Sequence, residues 1–268
     1  MSANSEIYLS IIIPAYNKES TIEKALTRIA EFLSEQDYNW EVIVVDDAST
    51  DSTVAKVNQF MNQHGGISVK LLVNEQNRQK GASIRSGVLE AKGKYSIYLD
   101  ADYAYPIDQI DNFLNQLENG VGIVIGNRTD PNTTFLVKPA AFNYIYQRHL
   151  LGRIFNWLVR LLLLSNIRDT QCGIKGFQTV TARAILSRMR IFNFAFDVEM
   201  LYIARQNGEK IVQIPVTYDY IDEPSSVRLF RHSLVMFKSL VQIKFNAWRK
   251  RYVINASPDG PSKHGEGN

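Results

Sequence analysis

Two carboxylates separated by one small residue form the most informative chemical feature of the chain. Asp100-Ala101-Asp102 ends the apolar run 95–99, and Pro106 follows as the start of a helix, so both side chains project from a fixed edge. Carboxylate oxygens without a nearby His or Cys favour Mg2+ or Mn2+ over zinc. Such a pair can hold the ion against a nucleotide diphosphate. The alternative is a plain turn at the end of a strand, where Asp is common.

A second acidic pair, Asp46-Asp47, ends an earlier apolar run. Asp51 lies shortly after it and is explained as a helix N-cap that accepts backbone N–H groups, but this explanation does not extend to Asp47. A carboxylate at a strand end can accept hydrogen bonds from a base or a ribose, and this is the role predicted for Asp47. Asn17, which follows the first apolar run, belongs to the same group of strand-end polar residues.

Two basic residues are candidate phosphate ligands. Lys80 lies in a glycine-containing segment, 77–87, that opens a helix, and helix N-termini attract anions. Arg128 follows Gly126-Asn127 and can clamp a phosphate with its guanidinium group. The alternatives are a solvated basic loop around Lys80 and an ordinary surface cation at Arg128.

The segment 168–175 gathers two cations, a carboxylate, an amide and a glycine, a mixture that a purely structural loop rarely needs. Cys172 within it is the single cysteine of the chain, so an intrachain disulfide and a cysteine zinc site are excluded. Because no His stands beside Cys172, we expect a small packed residue rather than a nucleophile. Farther on, Asp197 and Glu199 either cap a helix or take part in the active site.

The elements that must position these residues alternate regularly. Short runs rich in Ile and Val read as buried parallel strands, with helical segments between them, at 9–14, 41–46, 69–73, 95–100 and 122–126. This alternation predicts an α/β fold with a Rossmann-like, mostly parallel sheet flanked by helices. Ligands of such sheets bind beyond the carboxyl ends of the strands, where the candidate residues lie. A dinucleotide-binding dehydrogenase is disfavoured, since no Gly-x-Gly-x-x-Gly follows the first strand.

The second half of the chain is basic. Formal net charge is only +3, but the segments 131–168 and 224–258 contain no Asp or Glu, which indicates an anionic partner, either phosphates or a lipid surface. No apolar run reaches the ~20 residues that span a bilayer, so we expect contact from one membrane face.

A predicted C-terminal amphipathic helix, 227–251, has an apolar stripe with cations at its borders, as interfacial helices do. The stripe comprises Phe230, Leu234, Phe237, Val241, Phe245 and Trp248, and the cations are Arg231, Lys238, Lys244 and Arg249.

With these residues in place, the chain resembles the family 2 inverting glycosyltransferases with the GT-A fold. More narrowly, it resembles the polyprenyl-phosphate glycosyltransferases, and especially the dolichyl-phosphate β-glucosyltransferase branch. The shared pattern covers residues 9–218, and its narrow signals are Asp-Thr-Gln-Cys-Gly-x-Lys-x-Phe at 169–177 and Ala-Phe-Asp-Val-Glu at 195–199. The chain departs from that pattern where Lys18 intervenes before Glu19, and where Ala48 and Gln79 replace usual glycines.

The resemblance implies roles for the candidate residues. The residues expected to bind the nucleotide-sugar are Pro14, Ala15, Tyr16, Asn17, Glu19, Asp46, Asp47, Lys80, Asp100 and Ala101. Those expected to bind the metal, Mg2+ or Mn2+, are Asp100 and Asp102. The residues expected to carry the reaction are Asp102, Arg128, Asp169 and Gln171, and those expected to bind the acceptor phosphate are Arg168, Lys175, Arg228 and Arg231.

We therefore expect transfer of a sugar, with UDP-glucose as the donor, to a polyprenyl or dolichyl phosphate at the cytosolic membrane face. A lipid monophosphate, with a second pKa of about 6, is already largely ionised near neutral pH, so the enzyme needs cationic clamps more than a general base. The alternatives are a sugar hydroxyl acceptor with Asp169 or Asp197 as base, a GDP-mannose donor, and a non-catalytic nucleotide-sugar binding protein.

Three regions are expected along the chain. Residues 1–220 form the catalytic domain, 221–254 a basic amphipathic helix at the membrane interface, and 255–268 a disordered tail rich in Gly, Pro and Ser. The expected partners are the nucleotide-sugar, the lipid phosphate and the membrane surface, and not nucleic acid.

Overall fold

The computed structural model describes residues 6–136, 142–219 and 229–254, with the backbone alone for 142–151 and 229–234. The elements run in the order β1 (Leu9–Ala15), α1 (Ile22–Ser34), β2 (Trp40–Asp46), α2 (Thr53–Gln63), β3 (Val69–Val73), α3 (Lys80–Glu90), β4 (Tyr95–Leu99), a 3-10 turn (Ile107–Gln109), α4 (Ile110–Glu118), β5 (Ile123–Gly126), β6 (Thr134–Leu136), α5 (Phe142–Leu162), β7 (Ile174–Gln178), α6 (Thr179–Leu186), α7 (Phe196–Gln206), β8 (Ile211–Ile214), β9 (Thr217–Asp219) and α8 (Leu229–Trp248).

The predicted mostly parallel sheet is confirmed. Seven strands lie in the order β3-β2-β1-β4-β7-β5-β8. The pairs are parallel except for those made by β7, which runs antiparallel to β4 and to β5. The short strands β6 and β9 form a separate parallel pair. All five predicted strands are present, with bounds shifted by at most one residue at either end.

Sequence analysis missed β7, the strand at the centre of the most specific motif. Its sequence, Ile-Lys-Gly-Phe-Gln, places a Lys and a Gly in mid-strand, and both residue types are poor strand formers. Pairing with β4 on one side and β5 on the other outweighs this propensity. Because β7 is antiparallel, it begins where β4 and β5 end. The backbone N–H of Asp100 accordingly donates to the carbonyl of Gly173 at 3.2 Å.

Apolar side chains cover both faces of the sheet. Successive residues of a strand point to opposite faces, so Ile11 and Ile13 pack with α1, α2 and α4, whereas Ile12 packs with α3, α6 and α7. Val159 of α5 and Ile243 of α8 are buried in the same layer as Ile12. With helices on both sides, the strands need continuous rather than alternating apolar runs, which is the pattern that the sequence shows.

Lys175, in the middle of β7, is fully buried. Its ammonium group donates to the hydroxyl of Tyr98, the carbonyl of Cys172 and Oδ1 of Asp197, each at 2.7 Å. Tyr98 donates to the same Asp197 oxygen at 2.5 Å. All three ammonium hydrogens are therefore used inside the core. The expectation that Lys175 binds an acceptor phosphate is wrong, because the residue joins β4, β7 and α7 instead.

Replacing Lys175 is therefore expected to act on stability. Lys175→Met leaves Asp197 as an uncompensated buried charge, and we expect the free energy of unfolding to fall by about 3–5 kcal/mol. Urea unfolding followed by circular dichroism measures this loss. The double variant with Asp197→Asn is expected to be less destabilised than the two single losses added together, since it removes the orphaned charge. A Lys175→Met protein of unchanged stability would contradict the assignment.

Both positions where glycine is replaced have a positive φ angle. Ala48 has φ 61° and Gln79 has φ 72°, with ψ 158° at Gln79. The region occupied by Gln79 is essentially restricted to glycine, and a side chain there costs on the order of 1–3 kcal/mol. Both residues therefore adopt a backbone conformation that favours glycine, and their side chains introduce strain into it. Asn17, at φ 51°, belongs to a residue type that tolerates this conformation better.

Gln79→Gly is expected to stabilise the protein by about 1 kcal/mol. Relief of the backbone strain, about 1–3 kcal/mol, outweighs the opposing effect of glycine on the unfolded chain. That effect costs about 0.5–1 kcal/mol, because glycine loses more conformational entropy on folding. The midpoint of urea unfolding measures the difference. Gln76→Gly, in the same segment but without a positive φ, is the matched control and is expected to be neutral or destabilising. Equal effects of the two substitutions would show that Gln79 is not strained.

Candidate active site

The site lies at the edge of the sheet where β1, β2, β4 and β5 end. The loops after β1 and β2 are bound to each other by reciprocal hydrogen bonds. Asn17 donates its N–H to Ser49 Oγ at 2.9 Å and accepts the N–H of Thr50 at 2.8 Å. Glu19 accepts the N–H of Ser52 at 3.0 Å, and its own N–H donates to Asp51 at 3.0 Å. The structure thus gives the side chains of Asn17 and Glu19 a loop-bracing role.

The backbone at Lys18, the residue that intervenes before Glu19, is held by hydrogen bonds of the same network. Lys18 donates its N–H to Thr53 Oγ1 at 2.7 Å, and Lys56 donates to the carbonyl of Glu19 at 2.8 Å. Pro14 and Ala15 form the end of β1, with Ala15 buried, and the ring of Tyr16 is exposed next to them. The predicted nucleotide segment therefore ends in an exposed aromatic ring held on a braced loop.

Asp46 and Asp47 are both buried and differ in what they hold. Asp47 Oδ1 accepts from Asn74 Nδ2 and from the N–H of Arg78, both at 2.8 Å, so it ties β2 to the segment before α3. Asp46 Oδ2 accepts the N–H of Ser49 at 2.9 Å. Its Oδ1 is buried without a hydrogen-bond partner among the described residues. Each carboxylate thus organises one wall of the pocket expected for the nucleotide.

The predicted metal pair lies between β4 and the start of β7. Asp100 forms an ion pair with Lys80, the first residue of α3. Asp102 Oδ1 accepts the N–H of Ala104 at 3.2 Å. Burial raises the pKa of Asp102, and the neighbouring charge of Asp100 raises it further. A divalent cation between the two carboxylates would oppose both effects, so the donor set fits Mg2+ or Mn2+.

The pair needs further ligands to hold such an ion. In the part of the chain that the structure describes, no group of three or more His, Cys, Asp or Glu side chains is arranged to bind a metal. Mg2+ commonly uses one or two carboxylates together with substrate phosphates and water. A diphosphate would supply the missing oxygen ligands.

Arg128 and Asp169 form a fork-to-fork pair. Arg128 Nε donates to Asp169 Oδ2 at 2.7 Å, Nη2 donates to Oδ1 at 3.0 Å, and the backbone N–H of Arg128 donates to Oδ2 at 3.0 Å. Burial alone would raise the pKa of Asp169, but the guanidinium charge outweighs it and the pKa lies below its usual value. Asp169 is therefore held ionised and fully engaged. Its role is to orient Arg128, whose side chain is partly exposed.

Gln171 joins this group. Its N–H donates to Asp169 Oδ1 at 3.1 Å, while its side-chain Nε2 is buried without a partner among the described residues. An unused buried donor is costly, and a ligand oxygen would satisfy it. The structure thus brings Arg128, Asp169 and Gln171 together.

Of the remaining acceptor candidates, Arg168 is the one whose side chain the structure describes. The side chain of Arg168 is exposed, and its backbone N–H donates to Gln213 Oε1 at 2.7 Å. Arg228 lies outside the described residues, as do the predicted tail 255–268 and the start of the predicted interface segment at 221–228. Arg231 lies in the first part of α8, residues 229–234, of which the structure describes only the backbone.

Asp197 and Glu199 are structural in this fold. Asp197 is engaged by Lys175 and Tyr98, as described above. Glu199 is fully buried and accepts the N–H groups of Arg190 and Ile191 at 2.9 and 2.7 Å and the hydroxyl of Tyr252 at 2.5 Å. Neither carboxylate faces the metal pair as a free base.

Sequence analysis missed Tyr105. Its hydroxyl accepts the N–H of Gly173 at 3.1 Å and the thiol of Cys172 at 3.4 Å, so it holds the turn that lies against Asp100. A Cβ on Gly173 would approach Cγ of Asp100 to 2.7 Å, which explains the glycine. Cys172 is buried, and burial raises the pKa of its thiol, as expected for a packed residue. The sequence signal that could have identified Tyr105 is its position between the Asp100/Asp102 pair and Pro106.

Comparison with known proteins agrees with this geometry. Residues 10–178 match the family described as Glycosyl transferase family 2. Dolichyl-phosphate beta-glucosyltransferases from Dictyostelium discoideum and Homo sapiens are 35% and 33% identical to this chain, over 89% and 90% of it and 74% and 77% of their own lengths. Glucosyl-3-phosphoglycerate synthase from Mycobacterium tuberculosis, in complex with Mn2+, UDP-glucose and phosphoglyceric acid, superposes with a TM-score of 0.64 at 17% identity, covering 88% of this chain and 79% of that one. The sheet order, the strand-end carboxylates and these matches together make the chain a member of glycosyl transferase family 2 with the GT-A fold.

Proposed function

We propose that this protein is a metal-dependent inverting glucosyltransferase that moves glucose from UDP-glucose to a polyprenyl or dolichyl phosphate at the cytosolic face of a membrane. The observation that carries the proposal is the state of the two candidate bases. Asp169 is committed to Arg128, and Asp197 is committed to Lys175 and Tyr98. An acceptor hydroxyl would need one of them free, whereas a lipid phosphate is already ionised.

The acceptor side of the site suits a phosphate oxygen. Arg128 is held in one orientation by two side-chain hydrogen bonds to Asp169, and its side chain is partly exposed. Gln171 adds a buried amide donor without a protein partner among the described residues. A fixed cation and a fixed donor can orient the attacking oxygen in line with the bond that breaks, and orientation of this kind lowers the barrier without proton transfer.

The donor side suits a nucleoside diphosphate. Asp102, with Asp100 beside it, would hold Mg2+ or Mn2+, and such an ion would supply positive charge to stabilise the departing diphosphate. Lys80 lies at the N-terminus of α3 next to this pair and adds positive charge. Asp47 and the exposed ring of Tyr16 flank the pocket expected for the base and ribose.

The membrane assignment rests on two exposed apolar helix faces. On α5, Trp157 is 60% exposed, and on α8, Trp248 is 77% exposed. Each lies in a helical stripe of exposed apolar side chains: Ile154, Trp157 and Leu161 on α5, and Phe237, Val241, Phe245 and Trp248 on α8. Neither helix contains an Asp or Glu. Apolar stripes on acid-free basic helices favour an anionic lipid surface.

Among the described residues, none of the helices is long and apolar enough to cross a bilayer. We propose that residues 1–220 form the catalytic domain and that 221–254, including α8, forms the docking segment.

A basic cleft lies between α8 and the segment that binds Asp47. It has a volume of about 300 Å3 and lies between the segment before α3, the segment 190–193 and α8. Arg78 and Arg190 line it, together with Gln242 of α8. The backbone N–H of Arg78 is the group that binds Asp47. The cleft would give an anionic headgroup a path from the helix face toward the donor pocket.

The reaction is tested with radiolabelled donors and several acceptors. The purified protein is expected to glucosylate polyprenyl phosphate from UDP-glucose, to lose activity with EDTA and to regain it with Mn2+ or Mg2+. Asp102→Asn is expected to lower turnover by about 100-fold or more, since each ~1.4 kcal/mol of transition-state stabilisation is a factor of ten. Asp108→Asn, which changes an exposed carboxylate in the 3-10 turn that follows this loop, is the matched control. Transfer to soluble sugars instead, preference for GDP-mannose, or full activity of Asp102→Asn would contradict the proposal.

Membrane docking is tested by vesicle flotation. The protein is expected to float with phosphatidylcholine vesicles that contain phosphatidylserine, and less with phosphatidylcholine alone. Replacing both Trp157 and Trp248 by Gln is expected to weaken binding at least tenfold, since burying one large apolar side chain contributes about 1.5–3 kcal/mol. Val73→Gln, which changes an exposed apolar residue on edge strand β3, is expected to bind as the wild type does. Equal flotation of all three proteins would place the docking surface elsewhere.

A further inference from the structure

The ammonium group of Lys80 contacts one of the two carboxylates of the proposed metal site. It pairs with Oδ1 of Asp100, and both side chains are partly exposed, at 29% for Lys80 and 25% for Asp100. The remaining oxygen of Asp100 lies against Gly173, where no side chain fits. The two oxygens of Asp100 therefore face a cation and a backbone wall, and Asp102 is the freer of the two carboxylates.

The backbone holds Lys80 at this position. Gln79 precedes it in a conformation that is almost exclusive to glycine. Gly81 follows, donates its N–H to the carbonyl of Phe192 at 3.0 Å, and leaves no room for a Cβ against Phe196. The main chain at Lys80 is thus pinned on both sides. Its flexible four-carbon side chain is the part free to move.

Charge decides where the side chain goes. Lys80 is a cation near neutral pH, and its ammonium group is in contact with the carboxylate of Asp100. Asp197 already has Lys175 and Tyr98 as partners, which leaves Asp100 as the partner of Lys80. With Lys80 in place, the charge of the carboxylate pair is partly neutralised. The described residues contain no third metal-binding side chain beside this pair, so a divalent ion is bound weakly. A diphosphate carries several negative charges and would attract the ammonium away from Asp100.

We propose that Lys80 closes the carboxylate pair to divalent cations until a nucleoside diphosphate arrives, and that it then moves to the diphosphate and releases Asp100 to the metal. This role rests on the proposed metal site at Asp100 and Asp102. Metal and nucleotide consequently bind with positive coupling, and by linkage each strengthens the other by the same factor. The enzyme would take up the metal together with its donor rather than before it.

The experiment measures Mn2+ binding without turnover, from the electron paramagnetic resonance signal of free Mn2+, with and without UDP. Wild-type protein is expected to bind Mn2+ weakly alone and at least about tenfold more tightly with UDP. Lys80→Met is expected to bind Mn2+ alone about tenfold more tightly than the wild type, and UDP is expected to add little. Lys80→Arg, which keeps the charge, is expected to resemble the wild type.

Lys70→Met is the matched control, because it removes one positive charge and breaks the ion pair with Glu90 away from the site. It is expected to leave Mn2+ binding unchanged, and thermal unfolding checks that every variant is folded. Unchanged or weaker binding of Mn2+ alone by folded Lys80→Met overturns the proposal.

Two further outcomes separate this role from the proposed function. If Asp102→Asn binds Mn2+ with UDP as tightly as the wild type does, the metal site and the role of Lys80 are both overturned. If Mn2+ and UDP bind with the predicted coupling but no glucose reaches polyprenyl phosphate, the role of Lys80 is supported and the acceptor assignment alone fails.

Discussion

The structure depends on the buried pair of Lys175 and Asp197. A charge in the core is tolerated only when its partners are complete, because removing it from water costs several kcal/mol. The three acceptors around Lys175 come from β4, the turn before β7 and α7. Satisfying one ammonium group therefore brings three separate parts of the chain into a single register. With that register fixed, Gly173 lies against Asp100, and Asp169 lies within reach of Arg128.

The charged residues at the sheet edge fall into two classes. The pairs of Lys175 with Asp197 and of Arg128 with Asp169 have carboxylates that are nearly inaccessible to water, and several hydrogen bonds hold them in place. The pair of Lys80 with Asp100 is partly exposed and rests on a single contact between side chains. Buried, multiply bonded pairs position other groups, whereas an exposed pair contributes little stability and can exchange partners. The site thus combines a rigid acceptor side with a donor side that is able to respond to charge.

Each of the helices α5 and α8 has one apolar face packed in the core and a second apolar face exposed to solvent. Val159 on α5 and Leu240 and Ile243 on α8 enter the core beside the sheet, while the tryptophan-bearing faces remain uncovered. Glu199 links this layer to the site, since it binds both Tyr252, which follows α8, and the segment 190–193, which lines the basic cleft. A surface contact at α8 and the wall of the nucleotide pocket therefore belong to one packed unit.

Local patterns were sufficient for much of the fold. Five strands, their parallel arrangement and the carboxylates at their ends follow from apolar runs and helical spacing, because covered parallel strands require continuous apolar sequence. The narrow motifs at 169–177 and 195–199 also indicated the family correctly. Ala48 and Gln79 adopt a positive φ although neither is glycine, and neighbouring hydrogen bonds hold those loops.

Tertiary structure decided which polar residues face a ligand and which face the core. Sequence analysis assigned Lys175 to the acceptor phosphate and did not recognise β7 as a strand, because the partners that reverse both assignments, Asp197 and Tyr98, lie 22 and 77 residues away. The same holds for Asp169, whose engagement by Arg128 spans 41 residues. Sequence spacing determines which face of an element a residue occupies. The partners that neutralise a buried charge come from distant segments, and only the folded chain brings them together.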